Sequence, residues 1–122
     1  MKKVGIGIIV RDSSGAVMAS VSQIIRAGYD PLIAEATAIL RGVQLALEAG
    51  FWHCIIESNA QVIVNLINSQ SSVSSDVGLI VTDILNLIVN FRECIISFVR
   101  RNANKAAHCL AKLGVMSDSD GF

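Results

Sequence analysis

The stretch "IIESNAQVIVNLI", Ile55 to Ile67, changes character at its centre. An apolar run ends at Glu57-Ser58-Asn59, and apolar residues then recur at Val62, Ile63, Leu66 and Ile67. The first half reads as a short buried strand, His53–Glu57, bounded by polar residues. The second reads as a helix through Asn68, capped by Ser58 or Asn59. A strand feeding a helix through a polar triplet is an α/β junction, and ligands of open α/β sheets gather at the carboxyl ends of strands.

Outward from this junction the same alternation continues. Lys3–Val10 and Ala16–Ile25 are β-prone runs joined by "RDSSG", Arg11–Gly15, whose Asp, Ser and Gly suit a hairpin turn. In "YDPLIAEATAILRGVQLALEAG", Tyr29–Gly50, Asp30 suits a helix cap, Pro31 the first turn and Gly50 the stop. Ala36, Ile39, Val43, Ala46 and Leu47 supply its apolar stripe. After the polar loop Ser69–Asp76 come a helix over Val77–Asn90, a strand over Cys94–Val99 and a helix from Asn104 to Leu113, stopped by Gly114. The order β-β-α-β-α-α-β-α predicts one mixed sheet flanked by helices. Residues 1–114 form the expected domain and 115–122 a tail.

Bulk composition narrows the function classes. The chain has 122 residues, 52% of them hydrophobic and 16% charged, with ten basic against ten acidic side chains. That excludes a disordered chain and supplies no global attraction for nucleic acid. The mean hydropathy of +0.58 is high, as if both sheet faces were covered or some apolar surface awaited a partner. No segment reaches the roughly 18 uncharged apolar residues of a membrane span. "MKKVGIGIIVRDSSG" mimics a signal peptide, but Arg11 and Asp12 cut its apolar part short, so it reads as a strand. Cys54, Cys94 and Cys109 are odd in number and form no CxxC, which fits free thiols in a reducing, intracellular compartment. "GIGIIV" lacks the third glycine of a dinucleotide fingerprint, and His53 and His108 lack metal-ligand spacing.

Four blocks carry a resemblance. "GIGIIVRDSSGAVMAS", "AEATAILRGVQLALEAGF" (Ala34–Phe51), "CIIESNAQVIVNLIN" (Cys54–Asn68) and "FVRRNANKAAHCLAK" (Phe98–Lys112) occur in order across nearly the whole chain. Together they resemble the ribonuclease H-like family, in particular its plant retroelement-derived, reverse-transcriptase-associated branch. The resemblance implies the mixed RNase H-like α/β sheet, binding of RNA–DNA hybrids, and cleavage of their RNA strand with two Mg²⁺ ions held at four acidic positions. Two divalent ions about 4 Å apart need several carboxylates to balance their charge.

Position by position the match thins. The family's first central strand, with its aspartate, has no counterpart, because Met1-Lys2-Lys3 runs straight into the second strand. Glu35 matches the helix glutamate, Asn59 stands at the aspartate of the ESD block, and His108 stands at the fourth position, where the plant branch often has histidine. The expected catalytic set is thus Glu35, Asn59 and His108. The expected metal set is Glu35, Asn59 and Glu57, the last as a substitute from two residues upstream. One family carboxylate of four remains, so hydrolysis and Mg²⁺ binding are expected to be impaired. Arg100, Arg101, Asn102, Asn104 and Lys105, at a strand end and helix start, are the candidates for phosphate contact. Without the first strand, either Lys3–Val10 pairs directly with His53–Glu57, or an open edge invites self-association. A non-catalytic interaction module and a degenerate fragment are the competing functions.

Overall fold

The computed structural model describes residues 3–26, 30–70 and 75–100. Four strands and three helices follow in the order β1 (Lys3–Asp12), β2 (Val17–Arg26), α1 (Pro31–Glu48), β3 (His53–Ser58), α2 (Gln61–Ser69), α3 (Asp76–Ile88) and β4 (Glu93–Phe98). The helix expected over Asn104–Leu113 and the tail after it lie outside the described residues. The strands form one mixed sheet in the order β2-β1-β3-β4.

The hairpin forms for the reason its turn residues suggest. Asp12 Oδ1 accepts hydrogen bonds from the Ser14 and Ala16 N–H groups and from the Ser14 hydroxyl. Gly15 takes the positive φ of 94° that closes the turn. These bonds hold the Asp12 carboxyl below its ordinary range, the Ser14 hydroxyl foremost. β1 and β2 then pair antiparallel from Lys3↔Arg26 to Arg11↔Val17, with an irregularity between Val10 and Arg11.

The other edge of β1 pairs directly with β3. The pairs are antiparallel and run from Ile8↔Ser58 to Asp12↔Cys54. No open edge is left between these strands, and the alternative of direct pairing is the one adopted. Leaving buried backbone groups unpaired costs about 1–3 kcal/mol each, which favours closure. β3 and β4 pair in parallel over their whole length. Val99 N–H extends that pairing by donating to the Ser58 carbonyl at 3.0 Å. At the outer strand, Asn68 of α2 donates to the Ile96 carbonyl at 3.0 Å.

One core joins the sheet to all three helices. Ile6, Ile8, Val10, Val21, Ile56 and Ile96 meet Ile39 and Val43 of α1, Ile63, Val64 and Ile67 of α2, and Val81 and Ile84 of α3. Strand alternation sends Ile9, Arg11, Ile55 and Glu57 to the opposite face. α1 approaches β1 closely at Gly42, where an added Cβ would lie 2.8 Å from Ile8 Cγ2 and 3.9 Å from Ile56 Cγ2. α1 starts as its residues predict: Asp30 accepts from Leu32 N–H at 2.9 Å, and Pro31 occupies the first helical position. Gly50 ends the turn after it at a φ of 79°.

The cap of α2 differs from expectation, and that of α3 comes from the end of the polar loop. The N-cap position of α2 falls on Ala60, and it is the Ser58 hydroxyl that accepts from Ala60 N–H, at 3.0 Å. α3 is capped by Ser75, which accepts from Gly78 N–H, while Asp76 is already its first residue. Among the described residues, no helix is long and apolar enough to cross a membrane.

Candidate functional site at the carboxyl end of β3

Asn59 lies one residue beyond β3, where the chain leaves the sheet for α2. Continuing the β1–β3 register would place it opposite Gly7. It does meet Gly7, but with its side chain. Asn59 Oδ1 accepts from Gly7 N–H at 3.2 Å, and Asn59 Nδ2 donates to the Gly5 carbonyl at 3.4 Å. The amide therefore continues the ladder after the backbone has turned away. An amide can do this because it both donates and accepts, whereas a carboxylate only accepts. Gly5 and Gly7 carry no side chains to obstruct it. The "GIG" of β1 and the Asn of "ESN" are one structural device, and the signal for it was in the sequence as two glycines with no phosphate to cradle.

Glu35 sits at the same end. It lies seven residues before Gly42, about two helical turns, so it shares the sheet-facing side of α1 and stands roughly 10 Å nearer the helix N-terminus. Asn59 lies three residues beyond Ile56, also roughly 10 Å along the strand direction. Because Ile56 packs under Gly42, the two residues reach the same level. Glu35 is half-buried, and burial, helped by the negative charge of Asp30, raises its carboxyl above the ordinary value. Its carboxyl has no hydrogen bond or ion pair with another described residue. α1 begins at Pro31, so Glu35 belongs to its second turn and the first turn holds no acidic residue. Glu35 thus lies beyond the reach of the helix dipole, whose effect fades past the first turn.

Glu57 is placed differently. Its Oε1 accepts from Arg11 Nε at 2.9 Å, and Arg11 Nη1 also donates to the Gly15 carbonyl. Glu57 pairs with Ile9 in register and so lies on the face of the sheet away from α1. Residues two apart share a face only along a continuing strand, and β3 ends at Ser58, so Glu57 does not stand in for Asn59. Arg100 is exposed, two residues past β4 and near the Ser58 end of β3. Arg101, Asn102, Asn104, Lys105 and His108 lie outside the described residues.

These donors fit Mg²⁺ poorly. Mg²⁺ is held through carboxylates and waters in near-octahedral geometry. Glu35 is the one carboxylate of the expected set at this end, the Asn59 oxygen already accepts from Gly7, and Glu57 is turned to Arg11 across the sheet. Among the described residues, no three His, Cys, Asp or Glu side chains group closely enough to hold a metal ion.

Solved structures show the same fold. RNase H1 from the halophilic archaeon Halobacterium salinarum NRC-1 superposes with a TM-score of 0.65 at 20% identity, over 89% of this chain and 83% of that one. The N-terminal RNase H domain of Rv2228c from Mycobacterium tuberculosis, solved as a fusion with maltose-binding protein, gives a TM-score of 0.68 at 22% identity, over 89% and 79%. Curated protein sequences give no match. The sequence model of the reverse transcriptase-like family matches residues 2–114, nearly the full length. With its mixed sheet in the order β2-β1-β3-β4 and an RNase H-like architecture, the chain belongs to the reverse transcriptase-like family.

Proposed function

We propose that this RNase H-like domain binds RNA–DNA hybrid or related nucleic acid without hydrolysing it. The observation that carries this reading is the Asn59 amide, bonded through both of its polar atoms to the backbone of β1. A residue so engaged is a structural tie, and Glu35 is left as the one carboxylate of the expected set at this end among the described residues. Binding would draw on Arg100 and on the basic and amide residues after it, Arg101, Asn102, Asn104 and Lys105, as phosphate partners. His108 completes the family positions in this proposal without adding a hard-ion ligand.

The same reading extends to origin and setting. We place the chain in the plant retroelement branch on its four sequence blocks, with residues 1–114 as the domain. A reducing compartment suits Cys54 and Cys94, which are free thiols.

The test is an end-labelled RNA–DNA hybrid incubated with folded protein in Mg²⁺ and then in Mn²⁺, with Glu35→Gln as control and binding read by fluorescence anisotropy. Binding without cleavage is expected. Cleavage that disappears in Glu35→Gln would overturn the non-hydrolytic reading. Absence of binding at low salt would overturn the nucleic-acid reading and favour an interaction module, which gel filtration over a concentration series would then reveal.

A further inference from the structure

Cys54 and Cys94 are register partners on the parallel strands β3 and β4, and their Sγ atoms stand 4.0 Å apart in a thiol–thiol hydrogen bond. Both are free thiols; Cys54 is 3% exposed and Cys94 is half-buried. By strand alternation both lie on the core-facing side, in line with Ile56 and Ile96. Each is the second residue of its strand, at the end of β3 opposite to Asn59, so the candidate site does not use them.

Two thiols so placed need little movement to join. Neighbouring strands run about 4.7–4.9 Å apart, inside the roughly 4.4–6.8 Å over which a disulfide bridges Cα atoms. The Cβ atoms set the tighter condition. A disulfide holds them about 3.5–4.5 Å apart, whereas opposed strand residues hold them about 4.5–5.5 Å apart. Rotation about the Cα–Cβ bonds brings the sulfurs together, and closing the Cβ gap leaves the bond strained. A strained disulfide is readily reduced, the property of a reversible link and not of a permanent staple.

We propose that Cys54 and Cys94 form a reversible disulfide that clasps β3 to β4 when the chain meets a peroxide. The hydrogen bond between them lowers the Cys54 thiol below its ordinary value and raises the Cys94 thiol. The pair therefore gives up its first proton at Cys54, and the Cys94 S–H donates to the thiolate. Hydrogen peroxide, little larger than water, enters past half-buried Cys94. The Cys54 thiolate attacks one peroxide oxygen, the O–O bond breaks, and a sulfenic acid forms as the other oxygen leaves with a proton as water. The Cys94 sulfur then attacks the sulfenic sulfur, the S–O bond breaks, and the hydroxyl leaves with the Cys94 proton as a second water. Two thiols are oxidised to one disulfide, and one peroxide is reduced to two waters. The bond joins residues 40 apart in sequence and encloses α2 and α3 between its ends. It fastens β4, the outer strand of the sheet, to its neighbour.

The test treats the full chain with enough hydrogen peroxide to oxidise free cysteine completely, blocks the remaining thiols with N-ethylmaleimide, and reads intact mass and a non-reducing peptide map. The wild type and Cys109→Ser are each expected to lose two hydrogens and to yield a linked Cys54–Cys94 peptide that dithiothreitol separates. Amide exchange at Ile95 and Ile96 should slow more than about tenfold on oxidation of the wild type. It should not change in peroxide-treated Cys94→Ser, whose fold is checked by circular dichroism. Free thiols at both positions, sulfinic acid at Cys94 in place of the link, or a link to Cys109 would overturn the proposal. A link that leaves exchange in β4 unchanged would overturn the clasp.

Discussion

The two edges of β1 are held in different ways. Along one, β1 meets β2 at nine register positions through a turn that Asp12, Ser14 and Gly15 organise locally. Along the other it meets β3 at five positions, between residues some 45 apart in sequence, and the Asn59 side chain finishes what the backbone does not. The hairpin edge is a product of neighbouring residues. The seam joins residues far apart in sequence and lies under α1, where Gly42 meets Ile8 and Ile56. The Asn59 side chain is thereby drawn into holding the sheet closed.

The comparison can be broken most forcefully from the core. Ile56→Ala removes a fully buried side chain beneath Gly42. It should cost about 2–5 kcal/mol by urea denaturation, while Met18→Ala on the exposed hairpin edge should stay within about 0.5 kcal/mol. If the two cost the same, the seam is not what limits stability. Gly42→Ala tests the close approach itself. Its Cβ would meet Ile8 Cγ2 at 2.8 Å, and a β-branched, fully buried isoleucine cannot easily yield. Overpacking should outweigh the gain in helix propensity, leaving a net loss of about 2 kcal/mol in the same measurement.

Smaller changes sharpen the picture at the end of the seam. Asn59→Asp sets an acceptor against the Gly5 carbonyl in place of a donor. Stability should fall by about 1 kcal/mol at neutral pH, and hydrogen exchange at Gly7 should quicken relative to residues on the hairpin edge. A stabilised Asn59→Asp that also cleaves hybrid would mean the amide is no structural tie. Glu57→Gln, which weakens the partly buried pair with Arg11, should cost less than about 1 kcal/mol.

The smallest effect is a pH dependence. The Glu35 carboxyl is raised in the folded state, so its contribution to stability is fully present below the unfolded value near 4.5. That contribution is lost as pH rises through the folded value. Glu35→Gln should therefore flatten the stability profile just above pH 4.5 and leave the folded protein slightly more stable at neutral pH. An unchanged profile would place Glu35 in a more solvated setting than its half-buried position implies.

Much of the fold was legible because its signals are local. Asp30-Pro31 opens α1, Gly50 closes the turn after it, and the Asp-Ser-Ser-Gly turn joins β1 to β2, each through groups within a few residues of one another. The junction at Glu57-Ser58-Asn59 was legible as a strand end but not in its division of labour. Periodicity assigns faces only while a strand continues, and β3 stops before Asn59. Ser58 turns back to Ala60, Glu57 crosses to Arg11 and Asn59 reaches β1, three destinations that depend on which strand lies alongside.

By itself, then, the sequence determined the order of elements, the caps and turn chemistry of the hairpin and α1, and the four blocks that point to the family. Tertiary structure decided that β1 closes directly on β3, that Asn59 spends its amide on Gly5 and Gly7, and that Glu57 and Glu35 fall on opposite faces of the sheet. The physical reason is range. Caps and turns are satisfied by atoms a few bonds away, whereas a strand edge or a polar side chain takes whichever partner the packed core brings to it.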